Sequence, residues 1–144
     1  MRVTLLGCGT SVGVPALGRA GWGKCDPDNP KNRRQRCAVL VQHDGFNLLI
    51  DAGPDIRNQL IAAGNPKIHA VLITHTHSDH VAGMDYLRTF YLPEEKKIPI
   101  YGTASTLDDL KSKYNYLFCL KLSYSLNNSD CVSVLKCNIS SFRD

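Results

Sequence analysis

Short apolar runs alternate with breaks marked by Gly and Pro along the first 113 residues of the chain. Runs rich in β-branched residues indicate strands, whereas apolar residues three or four apart indicate helices. The predicted strands are residues 2–7, 37–42, 46–50, 69–74 and 98–101. The predicted helices are residues 54–63, 81–91 and 103–113. This order, without internal repeats, predicts a mixed α/β (α+β) layered domain.

Turn and cap residues mark several boundaries of these elements. Asp44-Gly45 is a strong hairpin signal, so the two strands on either side are predicted to pair antiparallel. Pro54 can open a helix, and Thr103 or Ser105 can cap the last one. Residues 7–31 hold most of the early Gly and Pro and predict a long irregular loop of the kind that is usually functional.

Three of the five histidines lie within six residues, in the run His-Thr-His-Ser-Asp-His that directly follows an apolar strand. His75 and His77 are two residues apart, so their imidazoles point to one side of an extended segment and can bind one metal ion. Asp79 and His80 then face a neighbouring position. Imidazole and carboxylate ligands suit Zn²⁺, Mn²⁺ or Fe²⁺, and a pair of such ions favours hydrolytic chemistry.

A structural interpretation of these side chains is also open. Asp79 would then only cap the helix predicted from residue 81, and the histidines would lie in a polar turn. His43 and His69 stand alone in or beside predicted strands. Such histidines are more often packing or surface residues than ligands.

Composition places the chain among ordinary globular domains. Its 144 residues, 43% of them apolar, are enough for one domain with a core. No run approaches the ~20 apolar residues that span a bilayer, and the first apolar run is too short for a signal sequence. We therefore expect a cytoplasmic protein without a membrane partner, whose six scattered cysteines are reduced.

The net charge of +4 is modest, but five basic residues lie within one short loop. They are Lys24, Lys31, Arg33, Arg34 and Arg36. Such a loop could favour an anionic substrate. A solvated basic loop without a binding role explains the same residues equally well.

The histidine run, with the Val-Ala-Gly that follows it, resembles the H-x-H-x-D-H signature of the metallo-β-lactamase superfamily. Three further segments, residues 7–15, 25–34 and 49–53, resemble its phosphodiesterase branch, typified by the cyclic-phosphate phosphodiesterase of phosphonate breakdown. Together these segments cover most of residues 1–113. The resemblance implies the N-terminal half of a metallo-β-lactamase αβ/βα sandwich.

The resemblance also implies roles for individual residues. His75 and His77 belong to the first metal site, Asp79 and His80 belong to the second, and Asp79 is in addition the candidate catalytic residue. The complete family site holds two divalent ions, here Zn or Mn. Asp51 is implied to support the ligand loop, although a carboxylate there could equally cap the turn that leads into the next helix.

The implied function is a metal-dependent hydrolase, in the first place of phosphodiester bonds, in which a metal-bound hydroxide attacks phosphorus. Its partner is then a small phosphodiester substrate, with nucleic acid as a less supported substrate. The enzymatic alternatives, which resemble the chain at the histidine motif, are a tRNA 3′-processing nuclease and a glyoxalase II-like thioesterase.

The resemblance stops before the family's ligand set is complete. A two-metal site needs more than four side chains, and no histidine follows His80. Residues 117–144 are rich in Ser and Asn, hold half of the cysteines and show no sustained period. We therefore divide the chain into residues 1–116, the N-terminal half of a metallo-β-lactamase-like domain, and a divergent tail, residues 117–144, outside the original fold.

A truncated hydrolase of this kind would be inactive. Two alternatives to a working enzyme follow: a non-catalytic fragment with residual metal binding, or half of a site that another chain completes, as a homo-oligomer or a complementing second-half chain. Half a sandwich leaves the inner face of its sheet open, so an exposed apolar sheet face is expected.

Overall fold

Five strands form one mixed sheet in the order β1-β2-β3-β4-β5. The computed structural model describes residues 1–91 and 98–119. The strands are β1 (Arg2–Gly7), β2 (Ala38–His43), β3 (Phe46–Ile50), β4 (Ala70–Leu72) and β5 (Ile100–Tyr101). The first three strands pair antiparallel, whereas β3 with β4 and β4 with β5 pair parallel. The α+β class is confirmed, and the carboxyl ends of β3 and β4 lie side by side at one edge.

The predicted hairpin joins β2 and β3. Asp44 and Gly45 both have positive φ, 45° and 79°, which is the geometry of a type I′ turn. His43 pairs with Phe46 across this turn. Gly accepts a positive φ without a Cβ penalty and Asp tolerates it, which is why this dipeptide closes the hairpin.

The helices differ from the prediction mainly where they approach the histidine run. They are α1 (Ile56–Ala62), α2 (Ser78–Val81), α3 (Arg88–Tyr91), α4 (Ala104–Lys113) and α5 (Asn115–Cys119), with 3₁₀ turns at Gly18–Ala20, Pro30–Asn32 and Met84–Leu87. The prediction of one helix over 81–91 is wrong, because α2 begins inside the histidine run and a turn with a 3₁₀ segment separates it from α3. Of the two proposed caps of α4, Thr103 is the N-cap and accepts a hydrogen bond from the Thr106 amide at 3.2 Å.

One face of the sheet forms the core with the helices. Leu40, Leu49, Val71 and Ile100, one from each of β2 to β5, are almost completely buried on this face. They pack in one cluster with apolar residues of the helices. The helices contribute to that cluster Ile56, Leu60, Val81, Leu107, Leu110 and Leu117.

The opposite face of the sheet is apolar and partly exposed. Val3 and Leu5 of β1 point to it, and their side chains remain 56% and 70% exposed among the described residues. In the sheet register they lie beside Val41 and Val39 of β2. An exposed apolar face of this kind is what half of a sandwich would present.

Helix α5 packs back onto the 3₁₀ segment after α2. The Tyr116 hydroxyl donates a hydrogen bond to Asp85 Oδ1 at 3.3 Å, and Leu117 is buried in the core. Burial, and then the nearby Asp85 carboxylate, raise the pKa of Tyr116. Residues 120–144 lie outside the described residues, so the domain boundary predicted at residue 116 stays a prediction.

The described residues also address the expected state of the cysteines and the expected lack of a membrane-spanning segment. Cys8, Cys25 and Cys37 are free thiols. In the described ranges, no helix has both the length and the apolar character that crossing a membrane requires.

Candidate metal centre

The histidine run leaves β4 at the same edge of the sheet at which β3 ends. The segment stays extended up to His77, whose φ and ψ are −65° and 148°, and α2 begins at the next residue. The ring centroids of His75 and His77 are 4.7 Å apart, and those of His75 and His80 are 4.0 Å apart. The structure therefore brings the three predicted histidines into one cluster.

Asp51 lies directly after β3, and its carboxylate is hydrogen-bonded to Thr74 and His80 of the histidine run. Asp51 is only 5% exposed, and its φ of 63° is a left-handed conformation that Asp tolerates. Oδ1 accepts a hydrogen bond from the Thr74 amide at 2.8 Å, and Oδ2 accepts one from the Thr74 hydroxyl at 2.8 Å. The carboxylate thus holds the first residue of the ligand loop rather than the turn before Pro54.

The same carboxylate orients two of the imidazoles. Asp51 Oδ2 lies 2.8 Å from His80 Nδ1, and because a carboxylate only accepts, Nδ1–H is the donor. The Thr74 hydroxyl hydrogen is directed to Asp51, so its oxygen accepts from His75 Nδ1 at 3.0 Å. In the neutral tautomer with its proton on Nδ1, each ring has an unprotonated Nε2, which is the nitrogen a metal ion needs.

Asp79 lies within α2 and faces His80. Its Oδ2 is 3.3 Å from His80 Nε2, and both side chains are about four-fifths buried, with exposures of 20% and 18%. The N-cap position of α2 is His77, and it makes no side-chain cap. Asp79 therefore does not cap a helix that starts at residue 81, and its carboxylate is directed to the histidine cluster instead.

Two glycines allow α2 to lie directly against the segment after β3. The Ala52 amide donates to the His80 carbonyl at 2.8 Å, and the Gly83 amide donates to the Ala52 carbonyl at 2.8 Å. A Cβ on Gly53 would collide with the Asp79 carbonyl oxygen, and one on Gly83 would collide with the Gly53 carbonyl oxygen. The close approach needs Gly on both sides, and it also explains why the predicted helix over 81–91 is interrupted.

The donor set fits a divalent metal ion. Three imidazoles and a carboxylate are ligands that Zn²⁺ and Mn²⁺ use, and a carboxylate behind a ligand histidine is the usual outer support. In the part of the chain that the structure describes, no three His, Cys, Asp or Glu side chains already surround one point as a metal would require. One reason is that His80 Nε2 and Asp79 Oδ2 are directed at each other rather than at a common third point.

The remaining histidines do not join the cluster. His69 Nδ1 accepts a hydrogen bond from the Asn47 amide at 3.0 Å, and its ring stacks on Phe46 with centroids 5.3 Å apart. The side chain of His43 is 61% exposed and lies 3.4 Å from Asp44. His69 therefore packs between strands and His43 is a surface residue, in agreement with the sequence interpretation.

The basic loop divides into two groups of side chains. Arg36 Nη1 lies 3.0 and 3.1 Å from the two carboxylate oxygens of Asp55, and the Arg33 guanidinium lies 5.0 Å from the centre of the Trp22 ring. These two arginines hold the loop in place. The other three basic side chains, Lys24, Lys31 and Arg34, have no side-chain hydrogen bond or ion pair with the described residues.

Sequence reasoning missed Thr74, Gly53 and Gly83. The Thr74 hydroxyl forms hydrogen bonds with both Asp51 and His75, and the two glycines permit the contact between α2 and the end of β3. A Gly after a strand and a second Gly after the ligand run are the signal that could have indicated a close backbone approach.

Comparison with known proteins assigns a family. Residues 46–134 match the model of the beta-lactamase superfamily domain. The matched region includes the whole histidine run and Asp51, and it continues past the predicted boundary at residue 116.

Three similar proteins cover most of this chain. A solved diphosphatase of the PhnP family has a TM-score of 0.76 and 34% identity, over 94% of this chain and 49% of that chain. The Zn²⁺-bound PqqB from Methylobacterium extorquens has a TM-score of 0.60 and 30% identity, over 78% and 40%. The octanoyltransferase of Porphyromonas gingivalis is 40% identical over 119 residues, which are 82% of this chain and 24% of that protein. The chain thus spans half or less of the length of each of these proteins.

Proposed function

The chain belongs to the metallo-β-lactamase superfamily, and from this premise we propose that it provides the metal-binding half of a hydrolase that cleaves phosphodiester bonds. The observation that carries the proposal is the buried Asp51 carboxylate, which directs His80 directly and His75 through Thr74. A buried carboxylate behind histidine ligands is costly to maintain without such a task. The octanoyltransferase name does not extend to this chain, which matches only 24% of that protein.

Each side chain of the cluster has a defined part in this proposal. His75 and His77 would hold one divalent ion, and Asp79 with His80 would hold a neighbouring one. When bound, the ions supply a Lewis acid that polarises a phosphoryl oxygen and lowers the pKa of an attacking water. Asp79 Oδ2, which lies 3.3 Å from His80 Nε2, can accept a proton at the histidine cluster. Asp79 is therefore the proposed catalytic residue.

The proposed ions are Zn²⁺ or Mn²⁺. Imidazole with carboxylate suits both, and the Zn²⁺-bound PqqB among the similar structures supports Zn²⁺.

A small phosphodiester is the proposed substrate. The similar PhnP-family diphosphatase supports a phosphorus-centred reaction. Lys24, Lys31 and Arg34 support an anionic substrate, because these side chains are not committed to hydrogen bonds or ion pairs with the described residues.

The alternative of a half site completed by another polypeptide is favoured by the open sheet face. Val3 and Leu5 are exposed on the edge strand β1 of an apolar sheet face, and such a face is normally covered. We propose that a complementing second-half polypeptide covers it and brings the remaining ligands. A fragment with metal binding alone is the outcome if none does.

Metal content and phosphodiesterase turnover test the function. The purified chain is measured by metal mass spectrometry, and turnover of bis-p-nitrophenyl phosphate is followed with added Zn²⁺ or Mn²⁺. His77→Ala is expected to remove bound metal and any turnover, whereas His43→Ala, with its exposed side chain, leaves both unchanged. Turnover that survives His77→Ala would contradict the metal mechanism.

The same preparation distinguishes the enzymatic alternatives. Precursor tRNA and a glutathione thioester are offered in parallel with the phosphodiester. Cleavage of precursor tRNA alone would favour the nuclease, and hydrolysis of the thioester alone would favour the glyoxalase II-like reaction. Either result would contradict the small phosphodiester as substrate.

A further inference from the structure

Helix α4 contacts the ligand loop at Thr76, the residue between the first two histidines. The Thr76 hydroxyl donates to Asp109 Oδ2 at 3.1 Å, and Lys113 Nζ donates to the Thr76 carbonyl oxygen at 3.0 Å. Asp109 and Lys113 are four residues apart, so they lie on the same face of α4. This face therefore holds both the side chain and the backbone of Thr76.

The position of Thr76 relates these contacts to the metal cluster. In an extended segment successive side chains point to opposite sides, so Thr76 points away from His75 and His77. Fixing the side chain and the carbonyl of the middle residue restrains the peptide planes on which both imidazoles depend. Movement of Thr76 would shift the backbone that carries both rings.

Helix α4 is itself anchored to the domain core. Leu107 and Leu110 on its inner side are buried in the core, and the Thr103 side chain caps its N-terminus. The contacts to Thr76 are thus made from an element fixed by the core.

We propose that Asp109 and Lys113 are positioning residues that hold His75 and His77 in the orientation needed to bind the first metal ion. The proposal rests on the metal binding proposed above. Neither residue touches the cluster itself, and both act through Thr76. The two side chains carry opposite charges, so removing both leaves the net charge of the chain unchanged.

The same helix offers a matched control. Asp108 and Lys111 are exposed, and neither has a side-chain hydrogen bond or ion pair with the described residues. The double variant Asp109→Ala/Lys113→Ala and its control Asp108→Ala/Lys111→Ala remove the same charges from α4. Differences between them therefore report the contacts with Thr76 rather than charge or helix propensity.

Two readouts are measured on each variant of the 144-residue chain. The first is the affinity for Co²⁺, by competition with a chromophoric chelator, together with the Co²⁺ absorption spectrum. The second is amide hydrogen exchange of residues 75–77 in metal-free protein. We expect the test variant to bind Co²⁺ about 10-fold more weakly, as outer-shell changes at metal sites commonly do, with a changed spectrum and with faster exchange. The control variant matches the wild type in both.

A conservative pair separates positioning from general stability. Asp109→Asn keeps an acceptor for the Thr76 hydroxyl, and Lys113→Arg keeps a donor for the Thr76 carbonyl. The double variant Asp109→Asn/Lys113→Arg is therefore expected to match the wild type in Co²⁺ affinity and in amide exchange of residues 75–77. Unchanged exchange in Asp109→Ala/Lys113→Ala would overturn the inference, whether or not metal binds. Wild-type protein that binds no Co²⁺, with exchange still faster in the test variant, would contradict the proposed function and support the positioning contacts.

Discussion

Replacing Asp51 by Asn tests whether this carboxylate orients a metal ligand or only stabilises the fold. The Asn side chain can still accept from the Thr74 amide, now 2.8 Å from Oδ1, through its own oxygen. Its NH₂ group then faces His80 Nδ1, which lies 2.8 Å from Oδ2. Because the amide donates, Nδ1 must become the acceptor and the ring proton moves to Nε2. A protonated Nε2 cannot bind a metal ion.

The expected magnitudes differ between metal affinity and stability. Outer-shell substitutions of this kind cost 10–100-fold in metal affinity, which is about 1.4–2.7 kcal/mol. Asp51→Asn should lower the free energy of unfolding of the metal-free protein by only about 1 kcal/mol. The Thr74 amide keeps its acceptor, the Thr74 hydroxyl can donate to the oxygen at the Oδ1 position, now 3.0 Å away, and Asn tolerates the φ of 63°.

Asp51→Ala is the contrasting variant. It leaves the Thr74 amide and His80 Nδ1 without their partner, at about 1–3 kcal/mol each, and it places Ala in a left-handed conformation that costs about 1–2 kcal/mol. The sum is on the order of 5 kcal/mol, which is comparable to the whole stability of a small domain. This variant should fold poorly.

Urea unfolding of metal-free protein and Co²⁺ competition measure the two quantities separately. We expect Asp51→Asn to unfold near the wild-type midpoint and to bind Co²⁺ at least 10-fold more weakly. Wild-type affinity in Asp51→Asn would refute the tautomer argument. Equal stability of Asp51→Ala and Asp51→Asn would refute the hydrogen-bond account of this residue.

Three further substitutions test the supports around the site by thermal or urea unfolding. Gly83→Ala should lower the free energy of unfolding by about 2–3 kcal/mol, because the added Cβ meets a backbone carbonyl. Gly64→Ala, at φ 88° but in open space, should lower it by about 1 kcal/mol. Equal losses in the two variants would contradict the close-packing argument. Arg36→Gln should lower the free energy of unfolding by about 1–2 kcal/mol through the lost pairing with Asp55, and a loss of the same size at low and high salt would argue against that pairing. His69→Ala should cost about 1–2 kcal/mol with unchanged Co²⁺ affinity, and weaker Co²⁺ binding would contradict its packing role.

The histidine cluster could be predicted from the sequence because its signal is local. Four candidate ligand side chains follow one apolar strand within six residues, and neither their types nor their spacing depends on distant contacts. The hairpin at Asp44-Gly45 was predictable for the same reason, since two adjacent residues determine the turn. The five strands followed from short apolar runs, although β4 and β5 are shorter than predicted.

The supports of the site could not be predicted in this way because they are contacts between distant segments. Thr76 bonds to Asp109 and Lys113, which are 33 and 37 residues away. Asp51 bonds to His80, 29 residues away, and its supporting role was suggested by family resemblance while its residue type alone also fitted a turn cap. The continuous helix predicted over 81–91 failed because apolar spacing carries no information about the backbone contact at Gly83.

The supports of the histidine cluster all come from the described part of this chain, although the chain spans half or less of the similar proteins compared with it. Asp51 holds the loop and His80 from the end of β3, the two glycines admit α2, and α4 restrains Thr76 from the other side. The contacts that orient the candidate ligands His75 and His80 therefore lie within the described part of this chain. What a second half would add is the remaining ligands and a cover for Val3 and Leu5. Metal affinity and turnover should consequently separate: if a complementing polypeptide is required, the chain alone binds an ion through these histidines and still fails to turn over phosphodiester.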